Sequence, residues 1–306
     1  MRMSAVELEN VTKTFGAHTA VDDLSLKVPP GCVYGFIGPN GSGKTTTLRM
    51  IMNIFYPDRG TVRVFGEPVH GACTDRIGYL PEERGLYKKM KVRDVLRFYG
   101  RLKSGRAVNG EVDAWLARME LSAWADKKVE TLSKGMSQKV QFIATVVSRP
   151  EMVILDEPFS GLDPVNTEVL RDAVLDLQRG GTTVIFSTHD MATAERMCDF
   201  IFMIFKGRKV LDGTLSDIQD RYGSDTVRVR IDDDVAKLTG LPGVERINDH
   251  GRMQELRMRD GADPQQVLQE LVQRGATVRH FELTRPSLHD IFVRIAGPEA
   301  QEATRA

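Results

Sequence analysis

Gly38-Pro39-Asn40-Gly41-Ser42-Gly43-Lys44-Thr45-Thr46 lies between an apolar run, Val33-Tyr34-Gly35-Phe36-Ile37, and the helix-forming stretch Thr47-Leu48-Arg49-Met50-Ile51-Met52. Strand, glycine-rich loop and helix in this order are the context a phosphate-binding P-loop requires. The glycines let backbone N–H groups turn inward around a phosphate, and the helix N-terminus adds partial positive charge. Lys44 is placed to reach the β- and γ-phosphates, and the Thr45 hydroxyl to sit on Mg²⁺. A chance glycine-rich turn is the competing reading, and the strand and helix flanks disfavour it. Gly38 through Thr46 are therefore candidate nucleotide contacts.

Composition narrows the setting. The chain has 306 residues, enough for one large and one small domain, and its 41% hydrophobic and 27% charged content is that of a globular protein. Lys+Arg and Asp+Glu balance at 42 each, which argues against a general attraction to nucleic acid or anionic lipid. The longest strongly apolar stretch, Phe200–Phe205, is too short to span a bilayer. The first residues carry no apolar signal segment. Cys32, Cys73 and Cys198 are odd in number and far apart, so reduced thiols are expected rather than a disulfide framework or a zinc site.

Outward from the loop, Val6, Leu8, Val11 and then Leu24, Leu26, Val28 alternate as strands. They are expected to be antiparallel and to lie beside the loop strand. The loop helix should end near Phe55, ahead of Pro57, and Thr61–Phe65 is a further strand. Helical spacing then dominates residues 85–150: Val92, Val95, Leu96, Tyr99; Trp115, Leu116, Met119; Val140, Ile143, Ala144, Val147. Trp115 and Trp124 are read as packing residues of this insert. Met152–Leu155 and Thr183–Phe186 read as buried parallel strands, with a helix near Thr167–Gln178 between them and a hairpin turning at Lys206-Gly207 after them. Beyond residue 219 the order βαββαβα resembles a ferredoxin-like α+β unit, with a strand pair turned at Asp249-His250-Gly251. The expected domains are 1–219 and 220–296, and a disordered tail is expected over 297–306.

Four further stretches carry chemistry. Met152–Leu155 ends in Asp156 and Glu157; the first suits Mg²⁺ held through water, the second the attacking water. Two acids closing a strand are common by themselves, but about a hundred residues after a P-loop they match a phosphoryl-transfer site. His189, in Phe186-Ser187-Thr188-His189-Asp190, follows a parallel strand at the sheet edge where ligands bind, and is placed to hydrogen-bond a γ-phosphate and the water. His18, His70, His250, His280 and His289 have no such context and read as surface or packing residues. Ser133 and Gly135, in Leu132-Ser133-Lys134-Gly135-Met136, offer a hydroxyl and N–H groups at a helix start, either as a second anion site or as a plain N-cap.

Together these stretches resemble the ATP-binding-cassette (ABC) family over residues 4–215. Gly38–Thr46 matches its Walker A motif, Met152–Glu157 Walker B, and Leu132–Met136 the LSGGQ signature with Lys134 and Met136 replacing Gly and Gln. Ser160–Asp163 is similar to the D-loop and His189 to the switch histidine. The resemblance implies that Phe15 stacks on adenine; a core or turn aromatic is the other reading. Glu82 falls where the family usually has the Q-loop glutamine. A carboxylate only accepts hydrogen bonds where an amide also donates, so Glu82 can face Mg²⁺ but repels a nearby phosphate. The signature form, Glu82–Tyr87, and Arg285–Phe292 resemble the ATPase subunits of bacterial ABC-2-type exporters with a C-terminal accessory domain, a branch that includes subunits described as sodium or drug exporters.

The resemblance implies an α/β P-loop NTPase of the ABC ATPase type, with an antiparallel β subdomain, an inserted helical subdomain and a small C-terminal α+β domain. It implies ATP and Mg²⁺ as ligands and a head-to-tail dimer, expected to be a homodimer. In that dimer Ser133 and Gly135 of one subunit complete the P-loop site of the other. It further implies a separate transmembrane permease contacting the insert near Leu86, Tyr87 and Met90, and a peripheral place on the cytoplasmic face of a bacterial membrane. Packing inside the insert is the other reading of those three residues. The rival function is a soluble ABC ATPase acting on DNA or the ribosome. The absence of a sustained heptad run, the single cassette and the neutral charge weigh against it, and no nucleic-acid partner is expected.

Overall fold

Three apolar runs build the centre of the first unit. Val33–Ile37, Met152–Asp156 and Thr183–Thr188 are parallel neighbours in a six-stranded sheet. Its order is Arg208–Gly213, Phe200–Phe205, Val33–Ile37, Thr183–Thr188, Met152–Asp156, Ile77–Leu80, with the first strand alone antiparallel. The runs are apolar at consecutive positions because both faces are covered. Val33, Val153, Leu155, Val184 and Phe186 face a core shared with the helical insert, while Tyr34, Phe36, Met152, Ile154 and Ile185 face a second core. Each such side chain, fully buried, contributes about 1.5–3 kcal/mol.

The computed structural model describes residues 4–69, 71–83, 85–222, 226–232, 235–249, 251, 253–259 and 261–297. His70, Arg84, His250 and the expected tail from 298 onward lie outside them. The two compact units are residues 1–214 and 215–306, and the expected boundary at 219/220 falls within the helix Leu215–Tyr222.

The strands Val6–Phe15 and His18–Val28 are antiparallel as expected, but they do not lie beside the loop strand. They join Arg59–Val64 and Glu67–Pro68 in a separate four-stranded sheet. Both edges of Val33–Ile37 are already taken, by Thr183–Thr188 and Phe200–Phe205. Val6, Leu8, Leu24 and Leu26 instead pack with the loop helix residues Leu48 and Ile51 in the second core.

The loop helix spans Lys44–Ile51, ending four residues before Phe55. Asn53 adopts a left-handed φ of 57°. The Ile54 N–H donates to the Arg49 carbonyl and the Asn53 N–H to the Met50 carbonyl, so a Schellman cap stops the helix before Pro57 acts.

The insert forms helices Val92–Ser104, Asn109–Arg118 and Lys134–Val146. Trp115 sets its ring edge-on to Phe142, 5.8 Å away, and Trp124 packs on the same core. The helix expected near Thr167–Gln178 starts at Pro164, because Asp163 caps it by accepting from the Asn166 N–H at 2.9 Å. Cys32, Cys73 and Cys198 form no disulfide with one another.

In the second unit the antiparallel sheet runs Val244–Asp249, Gln254–Met258, Thr226–Ile231, Val278–Thr284. This is the strand order of a ferredoxin-like unit. The first expected helix is a single 3₁₀ turn, Val235–Leu238. Val227, Val229, Leu256 and Met258 pack against Val267 and Leu271 of the helix Pro264–Gln273. The last helix, Leu288–Ala296, opens with a capping box between Ser287 and Asp290.

Candidate functional site

The carboxyl ends of three neighbouring strands bring the expected residues together. Ile37 is registered with Thr188, and Asp156 with Ser187. The Gly38 N–H donates to the Thr188 carbonyl at 3.4 Å, tying the start of the loop to the strand that carries His189.

Two glycines of the loop are required by close approach. A Cβ on Gly38 would lie 2.2 Å from the Ile204 carbonyl oxygen, and one on Gly43 would lie 2.4 Å from that of Ala20. Gly43 also caps the helix at φ 109°, where a side chain is strained. Gly41 (φ 75°) turns the exposed tip beside Asn40, with open space around it. Pro39 and Ser42 are buried, and Ser42 Oγ has no hydrogen-bond partner. Thr46 stands on the first turn, half-buried.

Lys44 is buried and folded back on its own loop. Its Nζ donates to the carbonyls of Gly38 (2.7 Å) and Pro39 (3.1 Å) and lies 3.7 Å from Glu157 Oε1. Burial pulls the ammonium below the ordinary lysine range, while the carboxylates of Glu157, Asp156 and Glu82 push it back up. A buried cation held by neutral carbonyls and close carboxylates is suited to meeting a phosphate.

Thr45 Oγ1 donates to Asp156 Oδ1 at 3.3 Å. The other oxygen, Asp156 Oδ2, is fully buried and has no hydrogen-bond partner. A hydroxyl beside an orphaned carboxylate oxygen is a hard-oxygen donor set that fits a Mg²⁺ ion keeping most of its waters.

Glu157 follows at φ 49°, in the left-handed region, which turns its carboxylate out of the strand line. His189 Nδ1 lies 3.1 Å from both carboxylate oxygens. The histidine side chain is 54% exposed and the glutamate 8%, so the imidazole covers the acid from the solvent side.

A cleft of about 500 Å³ joins Lys44, Thr45 and Glu157 to Phe15, His18, Asn40 and Glu82. His18, read from sequence as a surface or packing residue, belongs to this lining because its strand pairs it with Phe15. Phe15 is 44% exposed, meets Phe55 edge-on at 5.4 Å and has Lys13 Nζ over its ring at 5.5 Å. Glu82 also lines a second cleft of about 420 Å³ with Lys134, Ser137, Gln138, Gln141 and Ser160.

Ser133 and Gly135 line neither cleft. Ser133 is exposed and caps the helix Lys134–Val146, its Oγ accepting from the Met136 N–H at 3.2 Å. Gly135 lies close to Asn166, and Lys134 lies over Gly161. Within one chain, then, Ser133 and Gly135 do not line the P-loop cleft.

Sequence reasoning missed Ser187. Its hydroxyl donates to Asp156 Oδ1 at 2.5 Å and accepts the Glu157 N–H at 3.0 Å. Its place one strand over from Asp156, in parallel register, was the available signal.

Residues 21–160 match the ABC transporter family, and residues 213–296 match the C-terminal domain of DrrA1-3-like ATP-binding proteins. The Bacillus subtilis (strain 168) ABC transporter ATP-binding protein YhaQ is 42% identical over 292 residues, covering 95% of this chain and 98% of that protein. The Nod factor export ATP-binding protein I of Paraburkholderia xenovorans is 36% identical, covering 99% of this chain and 100% of that protein. Among solved structures, the ATP-binding subunit of an ABC transporter superimposes with a TM-score of 0.66 at 29% identity, over 72% of this chain and 94% of that one. A nucleotide-free ATP-binding cassette gives 0.64 at 24% identity, over 71% and 94%.

Proposed function

The chain belongs to the ABC transporter ATP-binding proteins, and we propose that it is the Mg²⁺-dependent ATPase of an exporter, acting as a head-to-tail dimer beneath a separate membrane subunit. Members of the family bind ATP, hydrolyse it to power transport and work with a transmembrane permease. The reading rests above all on the convergence of Lys44, Thr45, Asp156, Glu157 and His189 at one sheet edge.

Lys44 exchanges the Gly38 and Pro39 carbonyls for β- and γ-phosphate oxygens. Thr45 and Asp156 would hold Mg²⁺, which would supply neutralisation of phosphate charge. Glu157 accepts a hydrogen bond from the attacking water and orients it. His189 holds Glu157 from the exposed side and faces the γ-phosphate. Phe15 stacks on the adenine. Glu82 faces the metal side of the cleft, since it repels bare phosphate.

The exposed Ser133 and the adjacent Gly135 meet the γ-phosphate of a second subunit, so that two ATPs close the dimer. Glu157→Gln should then keep nucleotide binding while turnover collapses.

Export is favoured by relatives named for Nod factor export that align along nearly the whole chain, second unit included. Among the described residues no helix is long and apolar enough to cross a membrane, and the permease is a separate chain. An apolar groove of about 430 Å³, lined by Met52, Leu80, Leu86, Tyr99 and Leu102, supports docking of a short permease helix against the insert. Tyr87, 55% exposed, flanks Tyr99 and Phe98. Docking there would put the chain on the cytoplasmic face of the membrane. Purification from detergent-solubilised membranes should recover a multi-span partner; recovery with nucleic acid or ribosomes alone would overturn the transporter reading.

A further inference from the structure

We propose that Ser187 is a positioning residue that sets the Asp156 carboxylate for its metal and holds the Glu157 backbone in place. The assignment rests on the reading of Asp156 and Glu157 given above and goes beyond it to a residue outside both.

Ser187 is fully buried, and its hydroxyl has two partners of opposite kind. The Glu157 N–H donates to Oγ at 3.0 Å, and Oγ donates to Asp156 Oδ1 at 2.5 Å. A hydroxyl carries one proton and two lone pairs. The Glu157 N–H occupies a lone pair, and the carboxylate takes the proton, so the direction of both bonds is fixed. Thr45 Oγ1 donates to the same oxygen, Oδ1. Two donors thereby fasten one carboxylate oxygen and leave Oδ2, buried and unpartnered, as the oxygen that would be available to the metal.

The same hydroxyl stabilises the turn at Glu157. A left-handed φ of 49° on a residue with a side chain is strained and needs the surrounding structure to hold it. Its N–H would lose this buried acceptor if Ser187 lacked the hydroxyl. Loss of one hydroxyl thus loosens both the metal-facing carboxylate and the residue that orients water. Hydrogen bonds of this outer kind typically govern metal affinity by about 10–100-fold.

The test uses the full chain with Mn²⁺ as probe, titrated by electron paramagnetic resonance with a non-hydrolysable ATP analogue. ATP-analogue affinity in EDTA is measured in parallel. Ser187→Ala is expected to weaken nucleotide-dependent Mn²⁺ binding about tenfold or more, leave metal-free nucleotide affinity within about twofold, and lower kcat. Ser187→Thr, which keeps the hydroxyl, is expected to restore Mn²⁺ affinity; Ser187→Cys, similar in shape but a weak donor, is not. Equal Mn²⁺ affinity in wild type and Ser187→Ala would overturn the proposal, as would parallel loss of metal-free nucleotide binding, which marks a general packing defect. Asp156→Asn separates the two layers. If it binds Mn²⁺ like wild type, the metal role of Asp156 fails and the Ser187 proposal falls with it. If only Asp156→Asn is impaired, the metal role stands and the Ser187 proposal fails.

Discussion

His189 Nδ1 lies 3.1 Å from each carboxylate oxygen of Glu157, with Lys44 Nζ 3.7 Å from one of them. The acid is thus held between an exposed imidazole and a buried ammonium. Glu157→Gln retains the shape but cannot take up charge. It is expected to lower kcat about 10²–10⁴-fold with ATP affinity nearly unchanged. His189→Ala should lower kcat while leaving affinity nearly intact, because it frees the Glu157 side chain without touching the loop. Steady-state ATPase assays beside equilibrium nucleotide binding check both, and wild-type turnover in Glu157→Gln would remove Glu157 from the reaction.

Lys44 carries a different expectation, on binding. Replacing it with Ala should weaken ATP binding about 10–100-fold, the size of one or two charge-assisted hydrogen bonds. Fluorescent-nucleotide titration measures this, and an unchanged affinity would contradict the P-loop assignment.

The same lysine makes stability depend on pH. Burial depresses its folded-state value below the usual 10.5, so the unfolded chain binds more protons in the alkaline range just below that value. Stability from this group therefore rises with pH there and is lost as pH falls through the folded value. Without nucleotide, the melting-temperature difference between wild type and Lys44→Met should grow in favour of wild type as pH is raised toward 10.5. A constant or shrinking difference would show that Lys44 is not desolvated.

Gly43→Ala tests the loop's backbone. A φ of 109° and a 2.4 Å approach to the Ala20 carbonyl should together destabilise the chain by about 2 kcal/mol or more and abolish nucleotide binding. Urea unfolding followed by titration reads both quantities; an unchanged midpoint with normal binding would mean the loop adopts another conformation.

The loop and the acids were legible in sequence because their chemistry is local: glycines where carbonyls crowd, and a strand ending in two carboxylates. The four strands of the second unit were legible from alternation, since their sheet is covered on one face by Val267 and Leu271, whereas its first expected helix is only a 3₁₀ turn. Other features depended on tertiary pairing. Ile77–Leu80 is a short buried edge strand whose four residues carry too little pattern to stand out. The helix Met191–Met197 is seven residues long and depends on Asp190, which accepts from the Ala192 and Thr193 N–H groups. Thr214-x-x-Asp217 offered a cap signature for the missed helix Leu215–Tyr222. Ser187 and His18 could not be assigned without register, because Ser187 meets Asp156, and His18 meets Phe15, across strand pairs.

That Ser133 and Gly135 do not line the P-loop cleft within one chain leads to the central claim, that two copies complete each other's sites. Light scattering of Glu157→Gln tests it most directly. The expected result is a monomer without nucleotide, a dimer with Mg²⁺-ATP, and a monomer again when Ser133→Glu is added to the same chain. A monomer at saturating Mg²⁺-ATP, or a dimer indifferent to Ser133→Glu, would contradict it.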